Sequence, residues 1–111
     1  MKKAYRIKKS DEIQNLIKIK KTVGNSYFIL YYNKNHDCDN FRYAISVPKK
    51  FGNAVFRNLI KRRIREIIKV HNFNDDYDFF IVTKKRVREL KFNEIKRSLE
   101  KLFEKANILR K

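Results

Sequence analysis

The sequence predicts an α+β fold, a small sheet with helices packed against it. Three features point there. Three segments carry apolar residues at helical spacing. Other segments are aromatic and β-branched, or alternate with period two. The elements run helix, strands, helix, strand, helix within 111 residues, a length that suits one domain over 1–111. There are only two Gly and one Pro, hence no flexible linker, and no internal repeat.

The first helix opens at Ser10, read as its cap. Asp11 and Glu12 follow in the first turn, where negative charge suits the helix dipole. Ile13, Leu16 and Ile17 then form one apolar face. Thr22 to Gly24 is a short strand or turn. Tyr27 to Tyr32 reads as a strand with both faces covered, and the polar run Asn33 to Asn40 as a loop. Phe41, Tyr43, Ile45 and Val47 alternate with smaller or polar residues, so one face of that strand is buried, and Pro48 stops it. Asn53 can cap a second helix reaching about Lys69. On a helical wheel Phe56, Leu59, Ile60, Ile64, Ile67 and Ile68 share a half-circle; Asn58, Lys61, Arg62, Arg65 and Lys69 face away, with Arg57 and Arg63 at the borders. Asn74 to Asp76 is a turn and Tyr77 to Thr83 a strand. Ile95, Leu99, Leu102, Phe103 and Ala106 mark a third helix from about 92 to 105. The stretch from 41 to 83 is long enough for a parallel strand–helix–strand crossover.

Charge narrows the function. Lys and Arg number 29 against 12 Asp and Glu, a formal +17. A compact body so charged repels itself, and a polyphosphate backbone is the usual neutralising partner. The charge lies in blocks: residues 49–69 hold eight basic side chains and one acid, whereas 70–83 hold three Asp and no Lys or Arg. No apolar run approaches the roughly 20 residues of a membrane span, and no apolar stretch follows the basic N-terminus as a secretory signal requires. The single Cys38 cannot form an internal disulfide, which fits a reducing cytoplasm.

The second helix concentrates this charge. Glu66 alone offsets its basic face. Lys49 and Lys50 stand just before it, beside Gly52. Arg57 and Asn58 lie in the first two turns, where free N–H groups favour phosphate. Basic side chains there oppose the dipole, and a bound anion reverses that cost. The segment before Asn53 reads as a strand and a turn, not as the partner helix of a helix-turn-helix. Phosphate contact without base reading fits structured RNA.

The stretch Lys49-Lys50-Phe51-Gly52-Asn53-Ala54-Val55-Phe56-Arg57-Asn58-Leu59-Ile60-Lys61-Arg62-Arg63-Ile64-Arg65-Glu66 resembles the signature of the bacterial ribonuclease P protein subunit, roughly K-K-x-G-N-A-V-x-R-N-R-x-K-R-x-x-R. The likeness runs from about Tyr5 to Lys105, with the basic segment Tyr5-Arg6-Ile7-Lys8-Lys9 in front and a Ser98-Leu99…Leu102-Phe103 pattern in the closing helix. The resemblance implies an αβββαβα order, four strands and three helices, with a left-handed βαβ crossover that general topology rules would not select. It implies a ribonucleoprotein endoribonuclease whose RNA subunit, with Mg²⁺ bound mainly through that RNA, removes the 5′ leader of precursor tRNA. The protein supplies no catalytic residue and no metal ligand. Its expected partners are the catalytic RNA and precursor tRNA, with no membrane and no obligate protein partner.

Carried over by position, Lys49, Lys50, Asn53, Arg57, Asn58, Lys61, Arg62 and Arg65 contact the catalytic RNA. Leu59 departs from the signature, which has Arg there. Tyr31 matches the sheet aromatic of the leader-binding cleft, and Ile13 and Ile17 stand where the family favours Phe. Isoleucine packs on a base or sugar but offers no π-face. The alternative is a non-catalytic protein binding structured RNA, such as a ribosomal protein; only the signature separates the two.

Other groupings carry less. His36, Asp37, Cys38 and Asp39 share one polar loop, and His71 is the only other histidine, which is no zinc pattern. Asp75, Asp76 and Asp78 lie at a turn entering a strand, where side chains alternate between faces, so turn chemistry explains them better than a nuclease centre.

Overall fold

The computed structural model describes residues 5–35, 37 and 39–110. His36 and Cys38, half of the loop weighed for zinc, lie outside the described residues. The elements are α1 (Ser10–Ile19), β1 (Thr22–Gly24), β2 (Phe28–Lys34), β3 (Arg42–Ser46), α2 (Ala54–Lys69), β4 (Tyr77–Thr83) and α3 (Phe92–Ala106), the αβββαβα order. The strands form one sheet in the order β1-β2-β4-β3. β2 pairs antiparallel with β1 and β4, while β3 pairs parallel with β4. The segment 41–83 is therefore a parallel crossover through α2, between adjacent strands.

Strand alternation sorts the sheet into two faces. One presents Phe28, Leu30, Tyr43, Phe79 and Ile81 to the buried sides of α2 and α3, where Ile60, Ile64, Ile67, Ile68, Ile95, Leu99 and Phe103 complete the main core. Phe73 anchors it, with ring centroids 4.8 Å from Phe79 and 5.0 Å from Phe103. The other face carries a smaller cluster in which Ile7, Leu16 and Phe80 are buried and Ile13, Tyr31, Ala44 and Val82 are half-covered. Among the described helices α1 packs there, with Ile7 of the N-terminal segment beside it. The expectation that both faces of β2 are covered fails on this side, because one short helix does not span the sheet.

Several boundaries move, each for a physical reason. Ser10 is the first helical residue and not the cap; that position belongs to Lys9, which makes no side-chain cap bond, and the Lys9 carbonyl accepts the Ile13 N–H. Asn33 and Lys34 continue β2 instead of opening a loop, because β4 supplies partners as far as Asp78 and Tyr77. Tyr27 falls in the turn before β2, where the Asn25 side-chain oxygen accepts the Tyr27 and Phe28 N–H groups. A 3-10 turn over Lys85–Glu89, absent from the sequence reading, joins β4 to α3.

Asp78 also corrects the sequence reading. It lies within β4, nearly buried, and accepts two bonds from Arg42, from Nε at 3.1 Å and Nη2 at 2.8 Å. The same guanidinium reaches Glu12 of α1 at 2.6 Å, and the Asn35 side-chain amide donates at 2.9 Å to Oδ2 of Asp78, the oxygen that also accepts Arg42 Nη2. Parallel pairing sets Arg42 opposite Asp78, so this network ties α1 to the sheet edge. Removing one member of a buried pair strands the other charge. Asp78→Ala is expected to lower unfolding free energy by about 2–3 kcal/mol, and Glu12→Gln by less than about 1 kcal/mol because its carboxylate is a third exposed. Urea denaturation of the two variants reads this directly; equal losses would show that the two carboxylates are equivalent.

Candidate nucleic-acid interface

The signature begins in a 3-10 turn over Lys49–Phe51 that follows Pro48. Phe51 is buried and anchors the turn, whereas Lys49 and Lys50 are exposed. Gly52 comes next, with φ of 157°. A Cβ at Gly52 would lie 2.8 Å from Cδ2 of Phe56 and 3.3 Å from its Cβ, so the ring of Phe56 packs where a larger residue would stand. Asn53 caps α2 as read: its side-chain oxygen accepts the Phe56 N–H at 2.9 Å. The carboxamide oxygen is thereby committed to the helix start.

Beyond the cap, Asn58 and Arg62 are exposed on the outer surface of α2, and Arg57, Lys61 and Arg65 are half-buried. The wheel that set Lys61 and Arg65 on the outer face is therefore incomplete. Both side chains turn toward the edge of β3, where they border a concavity shared with Arg6, Ile7, Ile13, Tyr43, Ala44 and Ile45. Leu59 is half-buried on the outer side, lining a hollow with Val55, Asn58, Arg62 and Arg65. With Val55 78% exposed, this stripe has an apolar component between its cations.

On the other face of the sheet, Tyr31 stacks on Phe80 with centroids 6.1 Å apart and an interplanar angle of 24°. Ile13 packs into the same cluster. Ile17, one helical turn further, is 39% exposed and lies outside that cluster. Tyr31 and Ile13 thus share one half-covered patch on this sheet face, and Ile17 stands outside it at the surface of α1.

Sequence reasoning missed two sets of basic residues. The turn after β4 holds Arg88 over the Phe56 ring, 5.6 Å from its centroid, and Arg86 over the Tyr27 ring at 5.5 Å. Lys84 donates to the Asn25 carbonyl at 2.6 Å. The run Lys84-Lys85-Arg86-Val87-Arg88 was the available signal, lost among eleven basic residues in 84–111. Arg6 is the second, exposed and bridged to Tyr43 on β3. Among the described residues no group of three or more His, Cys, Asp or Glu side chains could hold a metal ion, and no helix is long and apolar enough to cross a membrane.

A small α+β body with a cationic stripe on one helix and a half-covered apolar patch on the opposite sheet face has the build of a nucleic-acid-binding protein. Residues 1–107 match the family described as Ribonuclease P. The ribonuclease P protein component of Acholeplasma laidlawii is 42% identical over 100% of this chain and 97% of its own length; that of Macrococcus caseolyticus is 47% identical over 90% and 88%. The ribonuclease P protein of Staphylococcus aureus superposes with a TM-score of 0.91 at 39% identity, covering 97% of this chain and 100% of that one. The chain belongs to the ribonuclease P protein family, and the ribosomal-protein alternative falls away.

The start of α2 has a structural cost that can be measured. Gly52→Ala is expected to destabilise by about 1–3 kcal/mol through the clash with Phe56, and Asn53→Ala by about 1 kcal/mol through the lost cap. Urea midpoints check both. A Gly52→Ala variant as stable as the parent would show that the Phe56 ring is free to move aside.

Proposed function

We propose that this chain is the protein subunit of a ribonuclease P ribonucleoprotein. In this reading α2 and the turn before it grip the catalytic RNA through Lys49, Lys50, Arg57, Asn58, Lys61, Arg62 and Arg65. Asn53 contributes by fixing the helix start. The half-covered sheet face around Ile13, Ile17 and Tyr31 receives the 5′ leader of precursor tRNA. The RNA performs the cleavage with Mg²⁺ held through its own phosphates. The working compartment is the cytoplasm.

The observation that carries the reading is the signature over 49–66, mounted at the start of a helix whose opposite face is locked into the main core. The physical contribution is electrostatic. Two RNAs approaching one another repel, and cations placed on opposite sides of one small protein release counterions from both. That apolar face adds packing against splayed bases or sugars of a single strand. Ile13 and Ile17 supply contact area without stacking, so Tyr31 is the one ring of the three positions able to stack.

Precursor-tRNA cleavage by a bacterial ribonuclease P RNA at low Mg²⁺, with and without this protein, tests the reading. Stimulation is expected; none would return the chain to simple RNA binding. If about 6–10 phosphates are neutralised, affinity for the catalytic RNA falls by roughly 10³–10⁵ between about 50 and 200 mM salt. Arg57→Ala combined with Arg62→Ala should weaken binding and reduce the log–log salt slope by about 2. An unchanged slope would remove these two side chains from the contact.

A further inference from the structure

A second basic surface lies away from α2, at the β1 edge of the sheet. β1 and β3 form opposite edges. None of the residues that build this surface belongs to the 49–66 stretch or to the cluster around Tyr31. A hollow of about 350 Å³ opens there between the β1–β2 turn and α3, and Asn25, Tyr27, Leu90, Glu94, Arg97 and Lys101 are among its lining residues. Small-ligand sites span roughly 300–1,000 Å³, so one nucleotide is of a size to enter.

One residue holds the wall together. Asn25 donates to Ser98 Oγ of α3 at 2.8 Å, and its side-chain oxygen accepts the Tyr27 and Phe28 N–H groups. Its carbonyl accepts Lys84 Nζ at 2.6 Å. The turn, α3 and the segment after β4 are thereby joined before any ligand arrives, which lowers the ordering cost of binding.

The charge of this surface is uneven in a useful way. Residues 84–101 hold eight Lys and Arg against three Glu. Glu89 accepts from Arg86 Nε at 3.1 Å, and Glu100 pairs with His71 at 2.8 Å. Glu94 spends only one oxygen, Oε1, on the Lys91 N–H at 2.9 Å. Glu94, Arg97 and Lys101 share one face of α3 by their spacing. Arg97 and Lys101 are exposed and enter none of the ion pairs among the described residues. A carboxylate in the wall repels a free anion or an acidic side chain, yet it accepts hydrogen bonds from an amino group. A nucleotide brings both an amino group, on its base, and a phosphate for the cations.

We propose that this hollow binds one cytidine nucleotide of a single-stranded RNA. The base amine donates to Glu94 Oε2, a pairing that carboxylates make with cytosine N4. Leu90 and Tyr27 supply apolar area, and Arg97 and Lys101 take the flanking phosphates. An unpaired strand is required, because pairing would occupy that amine. The strand belongs either to the catalytic RNA or to precursor tRNA; only that choice rests on the function proposed above.

The test is NMR titration of the full chain with cytidylate and uridylate hexamers, which carry equal charge, read through the backbone signals of Leu90 and Ser98. Cytidylate should bind at these signals about five- to tenfold more tightly, as one hydrogen bond to a charged acceptor implies. Glu94→Ala loses a helix cap, so it is read as the ratio of the two affinities, and the hexamers should then bind equally. Arg97→Gln combined with Lys101→Gln should leave the melting temperature unchanged and lower the log–log salt slope by about 1.4. Equal affinities for the two hexamers in the wild-type chain would overturn the proposal, as would a preference that survives Glu94→Ala. Leu90 and Ser98 signals that stay still while those of Tyr31 move would sink the hollow and leave the broader function standing.

A second arm identifies the strand, using a bacterial ribonuclease P RNA transcript with and without precursor tRNA. A smaller salt slope for the Arg97 and Lys101 double variant on the transcript alone assigns the nucleotide to the catalytic RNA. A smaller slope that emerges only with precursor tRNA assigns it to the substrate. An unchanged slope in both would overturn the assignment to these RNAs.

Discussion

Three helices cannot cover both faces of a four-stranded sheet, and most of what this molecule offers a partner follows from that shortfall. α2 and α3 together close one face, burying two rows of strand side chains against Ile and Leu ridges. α1 has ten residues, a rod of about 15 Å, and must serve the other face alone. It seals Leu16 against Phe80 and leaves Tyr31, Ile13 and Val82 half-covered. The Arg42 network then matters beyond its own energy. By holding Glu12 and Asp78 with one guanidinium, it ties α1 to β3 and β4 and so sets which part of that face stays half-covered. Without a tether there, a short helix on a half-polar face would have little to set its position.

The second constraint is charge. A net +17 on 111 residues opposes compaction, and few local ion pairs relieve it: Arg86–Glu89 and Arg110–Asp75 are both more than half exposed and worth little in water. The apolar core has to carry the fold against this repulsion. In the function proposed above an RNA partner removes the repulsion, so assembly and stability are linked: any ligand that binds the folded chain alone raises its stability by mass action. Cations held in the native state against their mutual repulsion are therefore a store of binding free energy, released when phosphates arrive.

The fold was legible because its periodicities are clean. The helical spacing in 56–68 and 95–106 and the alternation in 41–47 each map onto the observed core. What escaped has particular causes. Whether Asn33 and Lys34 belong to a strand depends on the reach of β4, a long-range fact. Asp78 looked like its neighbours Asp75 and Asp76, and only the parallel register of β3 sets it against Arg42. The turn after β4 has no periodicity to read in five residues. At the candidate interface, the signature placed its basic residues on one helix, α2, but a wheel knows only one helix. It could not know that the edge of β3 and the N-terminal segment draw Lys61 and Arg65 inward, nor that Tyr43, an ordinary core position by alternation, lines a hollow with Arg6, Arg62, Arg65 and Lys69.

The signature itself divides once it is seen in place. Gly52 and Asn53 serve the chain: one makes room for the Phe56 ring and the other holds its N–H. Phe51 and Ile60 serve the core. Arg57, Asn58, Arg62 and Arg65 are the side chains proposed above for the RNA contact. Phe56 links the two groups, since its ring fills the space at Gly52 on one side and lies under the Arg88 guanidinium on another. The turn after β4 is thereby docked onto the start of α2, and the cations of two segments distant in sequence meet around one aromatic ring. A motif that appears in sequence as a run of basic letters is, in three dimensions, a packed joint with its charges turned outward. Replacing its small and aromatic members displaces the charges as surely as deleting them.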